Sequence, residues 1–235
     1  MHYNKNIYEA IFIDRPNRFN GKVKYNNEEI VVHVPNTGRC KEILKPGCKV
    51  FLREENNPNR KTKFDLIAAY KEDMLISIDS QIPNKVVKEA LENKAINKLK
   101  KYDNILSEKT FGKSRFDFKL SNDIGEEYYL EVKGVTLEEN KKCSFPDAPT
   151  ERGVKHLKEL IHCMQEGYEA YLLLVIQMNG VDRFEPNWET HREFGETLQE
   201  AERAGVHILA YDCLVEPDRM EIQDPVPVCL ASDWK

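Results

Sequence analysis

At 235 residues, 40% hydrophobic and 32% charged, the chain has room for one large domain or two small ones, each with its own core. Its longest apolar run, residues 170–176, falls far short of a membrane span, and the first residues hold no apolar signal region, so a soluble cytoplasmic protein is expected. The net charge of −5 argues against nucleic acid only until its distribution is read: residues 1–63 carry 13 Lys/Arg against 7 Asp/Glu, and the remainder 22 against 33.

Residues 8–80 read as short strands at 8–14, 22–25, 30–34, 49–53, 63–70 and 74–78. Turn clusters rich in Asn, Pro and Gly separate them. Close spacing without a long helix predicts a small antiparallel barrel. Two loops stand out. Arg15-Pro16-Asn17-Arg18-Phe19-Asn20 puts two guanidiniums beside an aromatic ring, and His33 to Arg39 is polar and turn-prone, with Asn36 at its centre. Arg15, Arg18, Phe19, Asn36, Arg39, Arg60 and Lys61 are the candidates for nucleic-acid contact, since Arg, Asn and Phe on loops suit backbone binding and base stacking. Ordinary surface turns with solvated arginines are the competing reading.

A helix is expected over 83–100, with Pro83 near its start, Ser80 or Asn84 as cap, and Val86, Val87, Ala90, Leu91, Ala95, Ile96 and Leu99 as its apolar stripe. A domain boundary is expected there, giving domains 1–82 and 83–235. Next come two strands around RFDFKL and YYLEVK, joined by a turn-like SNDIGE. Strict alternation would place Phe116, Phe118 and Leu120 on one face and Arg115, Asp117 and Lys119 on the other. On the second strand, Glu131 and Lys133 share a face, so Asp117, Glu131 and Lys133 can meet. Residues 136–140 read as a strand end or loop.

Thr150 caps a helix whose apolar face holds Val154, Leu157, Leu160, Ile161 and Met164, with Arg152, Lys155, His156 and Lys158 on its other faces. Residues 170–177 read as a strand buried on both faces. A helix over 188–203, a strand over 206–211, an edge strand over 218–223 and an irregular tail to residue 235 complete the chain. The order of elements implies an α/β sheet with right-handed crossovers, α+β for the chain as a whole.

The pattern D-x13-E-x-K formed by Asp117, Glu131 and Lys133 matches the nuclease signature D-(x)n-(D/E)-x-K. Exposed Glu and Lys at i, i+2 are ordinary on strands, so a surface salt-bridge cluster is the competing reading. Glu108, Glu151, Arg152 and Lys155 are further candidates for acidic or phosphate contacts. The six cysteines form no C-x-x-C pair, which disfavours a zinc finger or a thioredoxin-like site. No phosphate-binding P-loop or dinucleotide fingerprint is present in the sequence.

RPNRF (15–19), HVPNTGR (33–39), RKT (60–62), IDSQIPN (78–84), SRFDF (114–118), EVKGVTL (131–137), FPDAPTERGVKHL (145–157) and GVHILAY (205–211) cover nearly the whole chain. In them the sequence resembles the sugar fermentation stimulation protein A (SfsA) family of bacteria and archaea. The resemblance implies an N-terminal OB-like barrel that binds DNA or RNA, and a C-terminal PD-(D/E)xK restriction-endonuclease-like mixed sheet flanked by helices. It implies a nuclease core of Asp117, Glu131 and Lys133. Asp117, Glu131 and the Val132 carbonyl would hold Mg2+ or Mn2+, and Lys133 would orient or deprotonate the attacking water. Phe116 stands where the superfamily's name has proline. A DNA-binding regulator of sugar metabolism genes, using the nuclease fold only as scaffold, is the alternative. Monomer and homodimer both fit the sequence.

Overall fold

The computed structural model describes residues 1–112 and 114–231; of the tail expected to be irregular, residues 232–235 lie outside the described residues. Six strands open the chain: β1 (Ile7–Asp14), β2 (Asn20–Tyr25), β3 (Glu28–His33), β4 (Lys49–Glu54), β5 (Phe64–Lys71) and β6 (Met74–Ser77). Their two-residue periodicity decides which way they face. In β2, Gly21 and Val23 turn inward while Lys22 and Lys24 turn to solvent. Antiparallel pairs β1–β2, β2–β3, β1–β4 and β4–β5, with a parallel contact between β3 and β5 at His33 and Asp65, close the first five strands into a barrel of OB connectivity. Val23, Val32, Val50, Leu52 and Leu66 fill it.

The chain leaves β6 for helix α1 (Ile82–Glu92), where Pro83 supplies a φ already suited to the first turn. The helix is shorter than predicted. It stops at Asn93, Lys94 takes a left-handed φ of 55°, and residues Asn97–Leu99 form a separate 3-10 turn. The apolar stripe is still used: Ile96 and Leu99 join Val86, Val87 and Leu91 in one cluster. Neither predicted cap serves. Gln81 is the N-cap, without a side-chain bond, and Asn84 points elsewhere.

The second half is built on β7 (Asn104–Phe111), β8 (Ser114–Ser121), β9 (Glu127–Val135), β10 (Leu137–Glu139), β11 (Lys142–Phe145), helix α2 (Glu151–Gln165), β12 (Glu169–Ile176), β13 (Arg183–Pro186), helix α3 (Arg192–Arg203), β14 (His207–Glu216) and β15 (Arg219–Pro225). Six of these strands form a mixed sheet in the order β15-β14-β12-β9-β8-β7. β9, β12 and β14 run parallel at its centre, and the other three pair antiparallel at its edges. β12 is apolar after Glu169 because both of its faces are covered. Leu172, Leu174 and Ile176 pack on α2 and α3, and Tyr171, Leu173 and Val175 pack on α1. The stretch expected as a strand end or loop at 136–140 contributes β10 to a small sheet of order β10-β11-β13. The helix expected from 188 begins at Arg192, because Asn187 holds a tight turn ahead of it, accepting from the Thr190 and His191 N–H groups.

Barrel and sheet meet at Gln177. Its N–H groups reach the Ser77 and Asp79 carbonyls at 2.9 and 3.3 Å, and its own carbonyl accepts from Ser77 N–H at 2.9 Å. Among the described residues, no helix is long and apolar enough to cross a membrane.

Candidate active site

The site begins with a break in β8. Phe118 and Leu120 share one face, in the cluster that holds the apolar residues of α1, but Phe116 lies on the opposite face, packed with Tyr129 and the residues of α2. The predicted grouping of all three on one face therefore fails, and the reason is Asp117. The β8–β9 ladder runs from Ser121↔Glu127 to Phe118↔Leu130. Beyond it, the Asp117 carboxylate replaces a backbone acceptor: Oδ2 takes the Val132 N–H at 2.8 Å, and Oδ1 takes the Asn84 amide of α1 at 2.6 Å. Across the edge, Glu108 has a left-handed φ of 57° beside the same break. Asp117 thus lies in the seam between β8 and β9 instead of on a pleat.

Glu131, on central β9, is 2% exposed. Its Oε1 accepts from both Lys133 Nζ and His156 Nδ1. Its Oε2 is buried and has no hydrogen-bond partner among the described residues. Burial pushes the Glu131 carboxyl up, but the His156 bond and the Lys133 charge outweigh it and hold the group below the usual carboxylate range. Asp117 goes the other way. Burial and the Glu131 charge push it up, against the Val132 N–H, Asn84 and Lys133. Two carboxylates with opposite shifts and one ammonium are therefore gathered in a largely water-free seam.

His156 is the member that the sequence reading placed on the wrong side of its helix. It is buried on α2, with Nδ1 toward Glu131 and Nε2 accepting from Arg152 Nε at 3.4 Å. The periodicity held the signal. Gly153, His156, Leu157 and Leu160 are all buried, at the i, i+3, i+4, i+7 spacing of a single stripe. Thr150 fixes the start of the helix by accepting the Gly153 N–H at 3.0 Å, as predicted.

The remaining candidates separate by what they touch. Glu108, opposite the break, pairs its carboxylate with Arg115 at 3.0 Å on the exposed edge. Glu151 lies at the exposed start of α2, 3.9 Å from His191. Glu151, His191 and Glu193 form a cluster, but His191 Nδ1 accepts from Thr150 N–H and Glu193 is paired with Lys158, so two of its members are already engaged. Arg152 and Lys155 are exposed on α2. In the barrel, Arg15 donates to the Gly38, Arg39, Arg18 and Asn36 carbonyls at 2.5–2.8 Å. Asn36 braces the same loop through Ile78 O and Gly38 N. Arg60 is bonded to Asp65. Arg18, Arg39 and Lys61 are exposed, and Phe19 is 58% exposed.

The family models agree with this architecture. The sugar fermentation stimulation protein RE domain matches residues 81–219, and the SfsA N-terminal OB domain matches residues 13–78. The sugar fermentation stimulation protein homolog of Clostridium botulinum (strain Langeland) is 62% identical over 228 residues, covering 97% of this chain and 99% of the relative. That of Clostridium perfringens (strain SM101) is 57% identical over 230 residues, covering 98% and 100%. Among solved structures, Pyrococcus furiosus SfsA in complex with Ca2+ superposes with a TM-score of 0.87 at 27% identity, over 97% of this chain and 99% of that one. With its barrel, its mixed sheet and its full-length relatives in agreement, the chain belongs to the sugar fermentation stimulation protein (SfsA) family.

Proposed function

We propose that the chain is a metal-dependent nuclease that binds DNA or RNA through the barrel (residues 1–82) and cleaves it at Asp117, Glu131 and Lys133 in the sheet domain (residues 83–235). The observation that carries this reading is the Glu131 carboxylate: one oxygen holds two cationic or polar side chains, and the other is buried with no hydrogen-bond partner among the described residues. A buried, unsatisfied carboxylate oxygen costs stability. Its neighbour Asp117 is pushed up by burial and by the charge on Glu131. A divalent cation relieves both. All the available donors are hard oxygens, which suit Mg2+ or Mn2+, and the Pyrococcus furiosus relative is described in complex with Ca2+. Asp117, Glu131 and the Val132 carbonyl would hold the ion. When bound, it would stabilise charge on the phosphate and acidify a water.

The protein's own groups do the rest. Lys133 Nζ, anchored on Glu131 Oε1, keeps N–H donors for the attacking water or a phosphate oxygen. His156 holds Glu131 from the helix side. Arg152 and Lys155 bind the substrate phosphate from the exposed face of α2, and Arg18, Phe19, Arg39 and Lys61 hold the strand.

The test is incubation of single- and double-stranded DNA and RNA with Mg2+, Mn2+ or EDTA. Cleavage is expected only with metal, and Glu131→Ala or Lys133→Ala is expected to lower it at least ~100-fold, the size of a lost transition-state contact worth several kcal/mol. Variants that cut as well as wild type would sink the assignment. Tight binding without cleavage under any of these conditions would leave the regulator on a nuclease scaffold.

A further inference from the structure

The barrel carries its cations in two conditions. On one side Arg53 is bonded to Glu55, Asp65 and Asp79, and Arg60 to Asp65, so these guanidiniums face carboxylates. On another, Arg18, Arg39 and Lys41 have no ion pair among the described residues, and all three line one cavity of about 360 Å³. Its apolar wall comes from exposed Pro46, with Phe12 and Leu44 buried behind it at 2% and 7% exposure, and among the described residues Asp14 is the one carboxylate lining it. Arg15 completes it. Its four bonds to carbonyls pin loop 15–18 to loop 36–39, its Nε–H is buried without an acceptor, and no carboxylate pairs with its charge among the described residues. A rim of unneutralised cations over an apolar wall fits an anion with a flat apolar part attached.

We propose that this cavity takes one unstacked nucleotide of a single strand, with its phosphate among Arg18, Arg39 and Lys41 and its base over Pro46, where the edges of Phe12 and Leu44 line the floor. The volume is near the lower end of the roughly 300–1,000 Å³ span of ligand cavities, room for one nucleotide. A duplex keeps its bases stacked and paired, and would offer the rim only its phosphates. The position suits delivery to the seam. Gly38 lines this cavity and also a second one of about 180 Å³, which Gly134 and Gln177 share. Gly134 directly follows Lys133 in β9. The inference rests on the nuclease reading for the chemical class of its ligand and names single-stranded nucleic acid as the substrate class.

The experiment is fluorescence anisotropy on the full chain in EDTA, with one labelled oligonucleotide as single strand, as duplex, and as a single strand carrying abasic sites. The single strand is expected to bind at least ~10-fold tighter than the duplex or the abasic strand, as stacking of a base on a protein surface commonly contributes. Arg18→Ala/Arg39→Ala/Lys41→Ala is expected to weaken single-strand binding at least ~10-fold. Each lost phosphate contact is expected to reduce the log–log salt slope by ~0.7. Lys88→Ala/Lys98→Ala/Lys100→Ala removes the same charge from exposed positions in and after α1 and is the control. Duplex binding equal to single-strand binding, or a cavity variant within twofold of the control, overturns the pocket. Binding as expected without metal-dependent cleavage in the separate assay overturns the nuclease reading and leaves the pocket standing. Cleavage with no single-strand preference does the reverse.

Discussion

His156→Ala removes from the centre of the site a ring, the long bond that ring accepts from Arg152, and its bond to Glu131. The Glu131 bond is the Nδ1–H donated to Oε1, and the ring is 7% exposed, 6.4 Å from the Phe116 ring centroid. A hydrogen bond to a charged group contributes ~1.5–3 kcal/mol net, and truncating a buried side chain adds a cavity cost, so a total of ~2–4 kcal/mol is expected. For a chain of this length each kcal/mol moves Tm by ~2–4 °C, which predicts a fall of roughly 5–15 °C. His156→Asn keeps an N–H donor near the Nδ1 position and should recover part of the loss. The assay is thermal melting of wild type, His156→Ala, Glu131→Gln and the double variant. The two residues should couple by at least ~1 kcal/mol. In a parallel set with added Ca2+, the proposed metal site predicts a rise in Tm for wild type that should shrink in His156→Ala. Additive single effects, or a His156→Ala melt within ~2 °C of wild type, would refute the claim that this histidine positions the carboxylate.

Burial pushes the Asp65 carboxyl up, but its bonds to Arg60, His33 and Arg53 outweigh it and leave the group below its ordinary range. Its contribution to stability is therefore present above about pH 4 and is lost as pH falls through the lowered value; Asp65→Asn should show a shallower loss in acid melts over that window. Burial pushes the Cys40, Cys143 and Cys163 thiols up to about 12, and Cys213 is buried too, so a disulfide reagent at pH 8 should modify Cys48 and Cys229 first and all six only after denaturation. A Cβ at Gly134 would sit 2.3 Å from Gln177 Oε1 and 2.9 Å from Pro83 Cγ; Gly134→Ala should cost ~1–3 kcal/mol in a denaturant titration, as overpacking does. Replacing the buried polar set together, as Glu131→Leu/Lys133→Met/His156→Leu, should leave Tm at or above that of wild type while abolishing cleavage and the response to Ca2+.

The strands of the barrel were legible because each is a short β-rich run between turn clusters; the closing pairs β1–β4 and β3–β5 join strands far apart in the chain and left no such mark. What alternation could not show is where it stops. Asp117 leaves its pleat because its carboxylate satisfies the Val132 N–H, an exchange of side chain for backbone that has no period. The helix predicted to residue 100 was over-extended for a related reason. Ile96 and Leu99 keep the apolar stripe buried after the backbone has turned at Lys94, so the pattern survives the end of the helix. His156 was readable and was misread: its spacing from Gly153, Leu157 and Leu160 places it inward, and its polarity argued for the surface. β10 and β13 are strands of three and four residues, too short for a period to register.

Residue type announces less than commitment. Arg15, Arg18 and Arg60 look equivalent in the sequence, yet Arg15 is bonded to four carbonyls, Arg60 to Asp65, and Arg18 has no ion pair among the described residues. The same distinction separates Glu131 from a structural ion pair. A carboxylate kept only to hold β9 to α2 would have both oxygens bonded, or an apolar residue would stand in its place beside Leu130 and Val132, since a buried ion pair is often no more stabilising than apolar side chains of the same volume. Instead, one oxygen is fully engaged by Lys133 and His156 and the other is buried without a partner among the described residues. That arrangement costs the fold ~1–3 kcal/mol or more for the unsatisfied oxygen and returns nothing in packing. A cost of this kind, beside the break in alternation at Asp117, is what the proposed metal site would account for.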